Sequence, residues 1–171
     1  MAEVNALGPL PEWDLGGLYH GRDRPELKAD LATLEKSAAE FQARYRGRLA
    51  GLGGAELGTA VAEYEALQEV AGRVSSYAEL VRAADIADPE IARFFQTMQE
   101  KINAIATGLL FFALELNRLD DESLEKKAVD PALAKYRPWL RDVRAMRPYQ
   151  LSDDIEKLLH EKSVAGRNAW T

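Results

Sequence analysis

The sequence predicts an all-α fold, an elongated helical bundle built around a long antiparallel helix hairpin, with no sheet. Three observations carry that prediction. Apolar residues recur at three- and four-residue intervals over long stretches. Proline and glycine stand at the joints between those stretches rather than inside them. No segment alternates convincingly with period two, the pattern that a half-buried strand requires.

The residues before Asp23 read as an extended arm, because Pro9, Pro11, Gly16 and Gly17 break any helical period. Trp13, Leu15, Leu18 and Tyr19 are apolar enough to pack that arm onto a helical body. Asp23 then starts a helix, with Glu26 three residues on in the spacing of a capping box. Leu27, Leu31, Leu34, Phe41 and Tyr45 form its apolar stripe. Gly47, Gly51, Gly53 and Gly54 end it in a flexible loop.

The next helix spans about Glu56 to Ala84. Leu57, Val61, Tyr64, Leu67, Ala71, Val74, Tyr77 and Val81 step along one side of it. Asp88-Pro89 is a restart signal, an N-cap carboxylate followed by proline at the first helical position. The third helix carries Ile91, Phe94, Met98, Ile102, Ile105, Leu109, Phe112 and Leu116. At about 1.5 Å per residue, helices of this length reach roughly 45 Å, which suggests a hairpin. Between Ile105 and Leu116 the third helix is apolar nearly all round, so it is expected to be covered on more than one side. Asp121 and Ser123 can cap a short helical turn, and Asp130-Pro131 and Arg137-Pro138 mark boundaries. The later helices are expected over Leu140 to Met146 and from Ser152 onward.

Composition narrows the function. Apolar residues make up 47% of the 171, and charged residues 29%, a globular balance that can bury a sizeable core. There are no cysteines, which excludes disulfides, thiolate metal sites and cysteine nucleophiles. A net charge of −6 disfavours nucleic acid, whose phosphates call for a basic patch. The longest apolar run, Leu109 to Leu114, is too short to cross a bilayer, so no membrane partner is expected. The opening MAEVNALGPLPEWD lacks a basic, apolar start and does not read as a signal peptide; a cytoplasmic location is the default expectation.

Few residues are candidates for chemistry. His160-Glu161 begins like the helical His-Glu-x-x-His zinc motif, but Lys162, Ser163 and Val164 follow and the second histidine is absent. The other histidine, His20, lies far away in sequence. Lys157 stands where a di-iron bundle needs glutamate before His160. His160 is therefore read as a polar helix residue. Arg137, Arg141, Arg144 and Arg147 form the one basic cluster, either a solvated face or a grip on a carboxylate or an acidic neighbouring surface. Glu115, set among apolar residues, must reach solvent or an arginine unless it serves a site. No catalytic or metal-ligating residue is assigned, and substrate-binding residues are not identifiable.

Several stretches in order nonetheless resemble a known family. They are Trp13-Asp14-Leu15 with Leu18-Tyr19, Tyr64-Glu65, and Gly72 to Ala78, reading GRVSSYA. Asp85 with Asp88-Pro89, Leu110 to Asn117, reading LFFALELN, and Tyr136-Arg137-Pro138-Trp139-Leu140 continue the series. Leu151-Ser152, Glu156 to Leu159, Glu161-Lys162 and Gly166 to Trp170 close it. The order is similar to the N-terminal region of the oligoendopeptidase F family, among the thimet-oligopeptidase-like zinc metallopeptidases.

That resemblance implies a cytoplasmic, mostly helical enzyme that cuts short peptides inside a deep channel. It also implies a zinc held by a His-Glu-x-x-His helix and a later glutamate, with the motif's own glutamate as general base. None of those residues maps onto this sequence. The expected organisation is an extended arm over 1–22, a helical domain over 23–150, and over 151–171 the start of a helix leading into a catalytic domain further along the polypeptide. The partners implied are that catalytic domain and an oligopeptide. This chain itself is expected to need no cofactor, to hold no zinc tightly and to cleave no peptide. Leu158, Leu159 and Trp170 are expected to form an apolar stripe that is exposed or buried in a non-native self-contact, so that the chain either self-associates or has a disordered last turn. The alternative is a non-catalytic helical interaction module whose hairpin docks a partner helix.

Overall fold

A computed structural model describes residues 13–163 and 165–166. Among them are six α-helices and no strand: α1 (Pro25–Tyr45), α2 (Gly54–Ala84), α3 (Pro89–Arg118), α4 (Asp121–Ala128), α5 (Arg137–Ala145) and α6 (Asp153–Ser163). Short 3-10 turns at Leu49–Gly51, Pro131–Tyr136 and Arg147–Tyr149 fill the connections. The all-α class read from helical periodicity is the class observed.

The helix starts show which local signals act. At α3 the Asp88 carboxylate accepts from the Glu90 and Ile91 amides, 2.7 and 3.4 Å away, and Pro89 supplies a preset φ. At α1 the expected capping box does not form. The N-cap is Arg24, which makes no side-chain bond, and the helix starts two residues after Asp23 because Pro25 sets its first turn. At α2 the helix begins at Gly54, so this glycine lies in the helix and not in the preceding loop. The Gly53 amide donates to Glu56 Oε2 at 2.8 Å, the glutamate half of a capping box; glycine has no side chain to make the other half. At α4 the cap is Asp120, whose carboxylate accepts from the Ser123 amide at 2.7 Å, and the expected short turn extends to eight residues.

Helices α2 and α3 run in opposite directions. Tyr77 meets Phe94 near their junction, with ring centroids 6.1 Å apart, and Tyr64 stacks on Phe112 at 4.8 Å much further along. Between Ile105 and Asn117 no α3 residue is exposed, in keeping with its all-round apolar sequence. α1 and α2 pack against α3, as do α5 and α6. The chain then bends by 103° from α3 into α4.

Two clusters of buried side chains result. The larger gathers around Phe41, Phe112, Leu57, Leu116 and Leu133, and Tyr64 and Trp139 pack against it. The smaller joins Tyr19, Leu27, Leu31, Val74, Tyr77 and Met98. Ile102 touches both. The second cluster anchors the described part of the arm: Tyr19 is buried, donates its hydroxyl to Asp30 at 2.7 Å and packs edge-on against Tyr77. Burial and that bond to a carboxylate both push the Tyr19 phenol well above its usual range. Trp13 departs from the expectation for this arm, being 77% exposed.

One close approach decides how α2 sits. A Cβ on Gly58 would lie 2.6 Å from the Ala132 Cβ and 2.9 Å from its carbonyl carbon. Only a residue without a Cβ lets α2 lie so close to the Pro131–Tyr136 turn. Gly58→Ala gains about 1 kcal/mol of helix propensity. It is nonetheless expected to lower stability by about 1–2 kcal/mol net, because a backbone contact has to open. A urea melt of the variant against the parent measures this.

Candidate functional site

The residue pattern of α6 is inverted relative to an ordinary surface helix. Its half-buried positions are polar: Glu156, His160 and Ser163. Its exposed positions include Ile155, Leu158 and Leu159, which are 45%, 51% and 54% exposed. Spaced at i, i+3 and i+4, these three share one face. Met146, Tyr149 and Leu151, just before the helix, are also exposed, at 60%, 73% and 48%. Together they make the densest exposed group of large apolar side chains among the described residues.

Polar contacts hold α6 in place. Arg118 on the last turn of α3 forms an ion pair with Asp153. Gln150 Nε2 donates to the Leu114 carbonyl at 3.2 Å, and Glu156 accepts from the Leu151 amide at 2.8 Å. The Ser152 carbonyl takes the first helical bonds, from Ile155 and Glu156. α6 is thus pinned to α3 with its apolar face turned outward, and burying that face would release about 25 cal/mol per Å². Leu158 and Leu159 match the expected exposed stripe; Val164 and Trp170 lie outside the described residues.

The other sequence candidates resolve into structural roles. His160 is half-buried with its Nε2 free of hydrogen bonds, and His20 is exposed on the arm. Among the described residues no three His, Asp or Glu side chains stand together as a metal cage. The described residues therefore do not fit a zinc ion.

Glu115 reaches a backbone amide rather than an arginine among the described residues. Its Oε1 accepts from the Gly47 amide at 2.7 Å. Gly47 sits at φ +76°, a left-handed turn just past α1. The carboxylate satisfies the amide that this turn leaves unpaired and ties the end of α1 to α3.

The basic cluster divides. Arg137 donates to the Ala128 carbonyl from two nitrogens, at 2.8 and 3.1 Å, and closes the end of α4. Arg141 turns to its neighbour Asp142. Arg144, with a side chain only 12% exposed, donates to the carbonyls of Leu116, Asn117 and Leu119 at 2.9, 3.1 and 2.6 Å. It also pairs with Asp121, as does Arg147 at 3.1 Å. The grip on a carboxylate is real, but the carboxylate is the chain's own, and the main targets are carbonyls at the end of α3, of which that of Leu116 also accepts from the Leu119 amide. The Arg144 hydrogen bond, helped by Arg147, holds the Asp121 carboxyl below its ordinary range. Arginines at three-residue spacing do not reveal this in sequence, because the α3 end they cap is far away in the chain.

Comparison with known families adds one finding to this geometry. Residues 115–171 match the oligopeptidase F family, in its N-terminal model. The match spans the last third of the chain, from Glu115 through α4, α5 and α6, and supports an oligoendopeptidase F N-terminal region. It contains the Tyr136 to Leu140 and Leu151 to Leu159 stretches that carry the resemblance, and the inverted α6. The earlier stretches, from Trp13 to Pro89, lie outside it. Comparison with curated proteins and with solved structures gives no match. No single helix among the described residues is long and apolar enough to cross a membrane.

Proposed function

We propose that this chain is the N-terminal helical domain of a zinc oligoendopeptidase, and that it forms a wall or lid of the channel in which the parent enzyme hydrolyses short peptides. The observation that carries the reading is the outward apolar face of α6, which falls within the residues that match the oligopeptidase F family. A helix that turns Ile155, Leu158 and Leu159 to solvent is built to be covered, and in this reading a catalytic domain of the same polypeptide covers it. A helical wall contributes specificity without chemistry: it narrows the entrance, so that flexible oligopeptides pass and folded proteins do not. The zinc and its ligands belong to the parent enzyme, as does the cytoplasmic location.

Two measurements test this. In the 171-residue chain, the double variant Leu158→Ser with Leu159→Ser is expected to shift stability by less than about 1 kcal/mol, since both side chains are half-exposed. Its light scattering should show less association than the parent chain. In the parent enzyme the same double variant should lower kcat/KM for a quenched fluorogenic oligopeptide and weaken discrimination against longer peptides. Unchanged cleavage and unchanged length selection in the parent would sink the wall reading. Chelator-sensitive turnover by the 171-residue chain alone would sink the division of labour.

A further inference from the structure

The groove between α2 and α5 has a chemistry that neither the family match nor the channel-wall reading uses. It encloses 640 Å³ and is lined by Tyr64, Glu65, Glu69, Tyr136 and Trp139, among others. Its aromatic part is fixed in place. Tyr64 stacks on Phe112 at 4.8 Å, Trp139 lies nearly parallel to Phe112 at 6.4 Å, and the Tyr64 and Trp139 centroids are 5.9 Å apart. Phe112 is fully buried, so it backs both rings. Tyr64 and Trp139 are each only half-buried and line the groove.

The acidic part stands beside them. Glu65 and Glu69 are one helical turn apart on α2 and share a face. Glu65 is occupied: Lys135 Nζ lies 3.0 Å from its Oε2, and the Tyr136 hydroxyl donates to the same oxygen at 2.8 Å. These two bonds hold the Glu65 carboxyl below its ordinary range. Lys135 at the same time sits over the Tyr136 ring, 4.5 Å from its centroid. The protein thus already seats one ammonium between a carboxylate and an aromatic face on this rim. Glu69 repeats the carboxylate one turn along, lines the same groove as Tyr64 and Trp139, and enters no ion pair among the described residues.

We propose that this groove binds the cationic side chain of a peptide, an arginine or lysine, laid against Trp139 and Tyr64 and neutralised by Glu69. The preference for a cation rests on the groove alone, and the choice of a peptide as its carrier rests on the proposed function. A cation is favoured over an apolar side chain because Glu69 would lose hydration against an apolar occupant without gaining a partner, whereas Glu65 already has Lys135 and Tyr136. A cation laid on the face of the Trp139 or Tyr64 ring would gain the attraction of its quadrupole.

The test uses the 171-residue chain and two blocked peptides, acetyl-Gly-Ala-Arg-Ala-Gly-amide and its citrulline analogue, which keeps the shape and loses the charge. The indole N–H cross-peak of Trp139 is identified as the one missing in Trp139→Phe. Its shift is then followed on addition of each peptide. The arginine peptide is expected to move it saturably and the citrulline peptide is not. Glu69→Gln, an exposed substitution, should weaken the arginine peptide by about threefold or more. Glu125→Gln, on α4, should leave binding unchanged and controls for net charge. No movement of the Trp139 peak, equal movement by the citrulline peptide, or equal weakening by Glu125→Gln would each overturn the proposal.

Discussion

Phe112→Ala is expected to cost about 3–5 kcal/mol, the usual range for emptying a buried phenylalanine site. Phe112 is fully buried and its ring meets four others: Phe41 at 5.1 Å, Tyr64 at 4.8 Å, Phe111 at 6.2 Å and Trp139 at 6.4 Å. These rings come from α1, α2, α3 and α5, so the cavity would open where four helices converge and no single helix could shift to fill it. Against a total stability typical of small domains, about 5–15 kcal/mol, a loss of this size leaves little margin. Chemical denaturation followed by far-UV circular dichroism measures it. A loss below about 1 kcal/mol would mean that the aromatic cluster is not the centre of the larger core. Phe112→Leu keeps most of the volume and should recover more than half of the loss.

Arg144→Met is expected to cost about 2–3 kcal/mol, since hydrogen bonds from a charged donor to sheltered acceptors are among the stronger ones. Methionine keeps the apolar stem and removes the guanidinium, so the Asn117 and Leu119 carbonyls lose its hydrogen bonds in a place with little access to water, while the Leu116 carbonyl keeps the Leu119 amide. The junction between α3 and α4 should loosen first, visible as faster amide exchange in α4.

The same contact has a pH signature. The folded state holds the Asp121 carboxyl below its ordinary value of 3.8, chiefly through Arg144. The stabilisation is therefore fully present above that value and is lost as pH falls through the lower folded value. Stability of the parent chain should be insensitive to this pair between pH 5 and 7, and should decline below about pH 4. In Arg144→Met the acid decline should be shallower, so the gap between parent and variant narrows in acid. A gap that stays constant from pH 7 to pH 3 would show that Asp121 takes no part in holding the junction.

How much of this was legible in sequence follows from how far each cause reaches along the chain. The three long helices follow from apolar spacing, and the start of α3 from Asp88-Pro89, because periodicity and capping act within a turn or two. The burial of Ile105 to Leu116 was equally visible, since a helix apolar on nearly all sides leaves little face for water. The exposed Leu158 and Leu159 were readable as a stripe, and the Tyr136 to Leu140 and Leu151 to Leu159 stretches carried the family resemblance that the match over 115–171 supports. Helix starts without a side-chain cap were misplaced by two or three residues: Asp23 looks like a cap, but Pro25 sets the first turn of α1, and α5 starts at Arg137 rather than Leu140.

Contacts between residues distant in the chain were decided by the tertiary structure alone. Glu115 reaches the Gly47 amide, Arg144 reaches the end of α3, and Gly58 admits Ala132. In each case an isolated signal in sequence (a carboxylate among apolar residues, an arginine row, a glycine inside a helix) has its reason in a partner that only packing brings near. The groove between α2 and α5 is of the same kind, because Glu69 and Trp139 lie on separate helices and share a wall only after both pack on Phe112. Local spacing specifies which residues form a helix and which side of it is apolar. Which polar group answers which depends on how those helices are stacked, because a hydrogen bond or ion pair forms only between atoms that packing has already brought within about 3–4 Å.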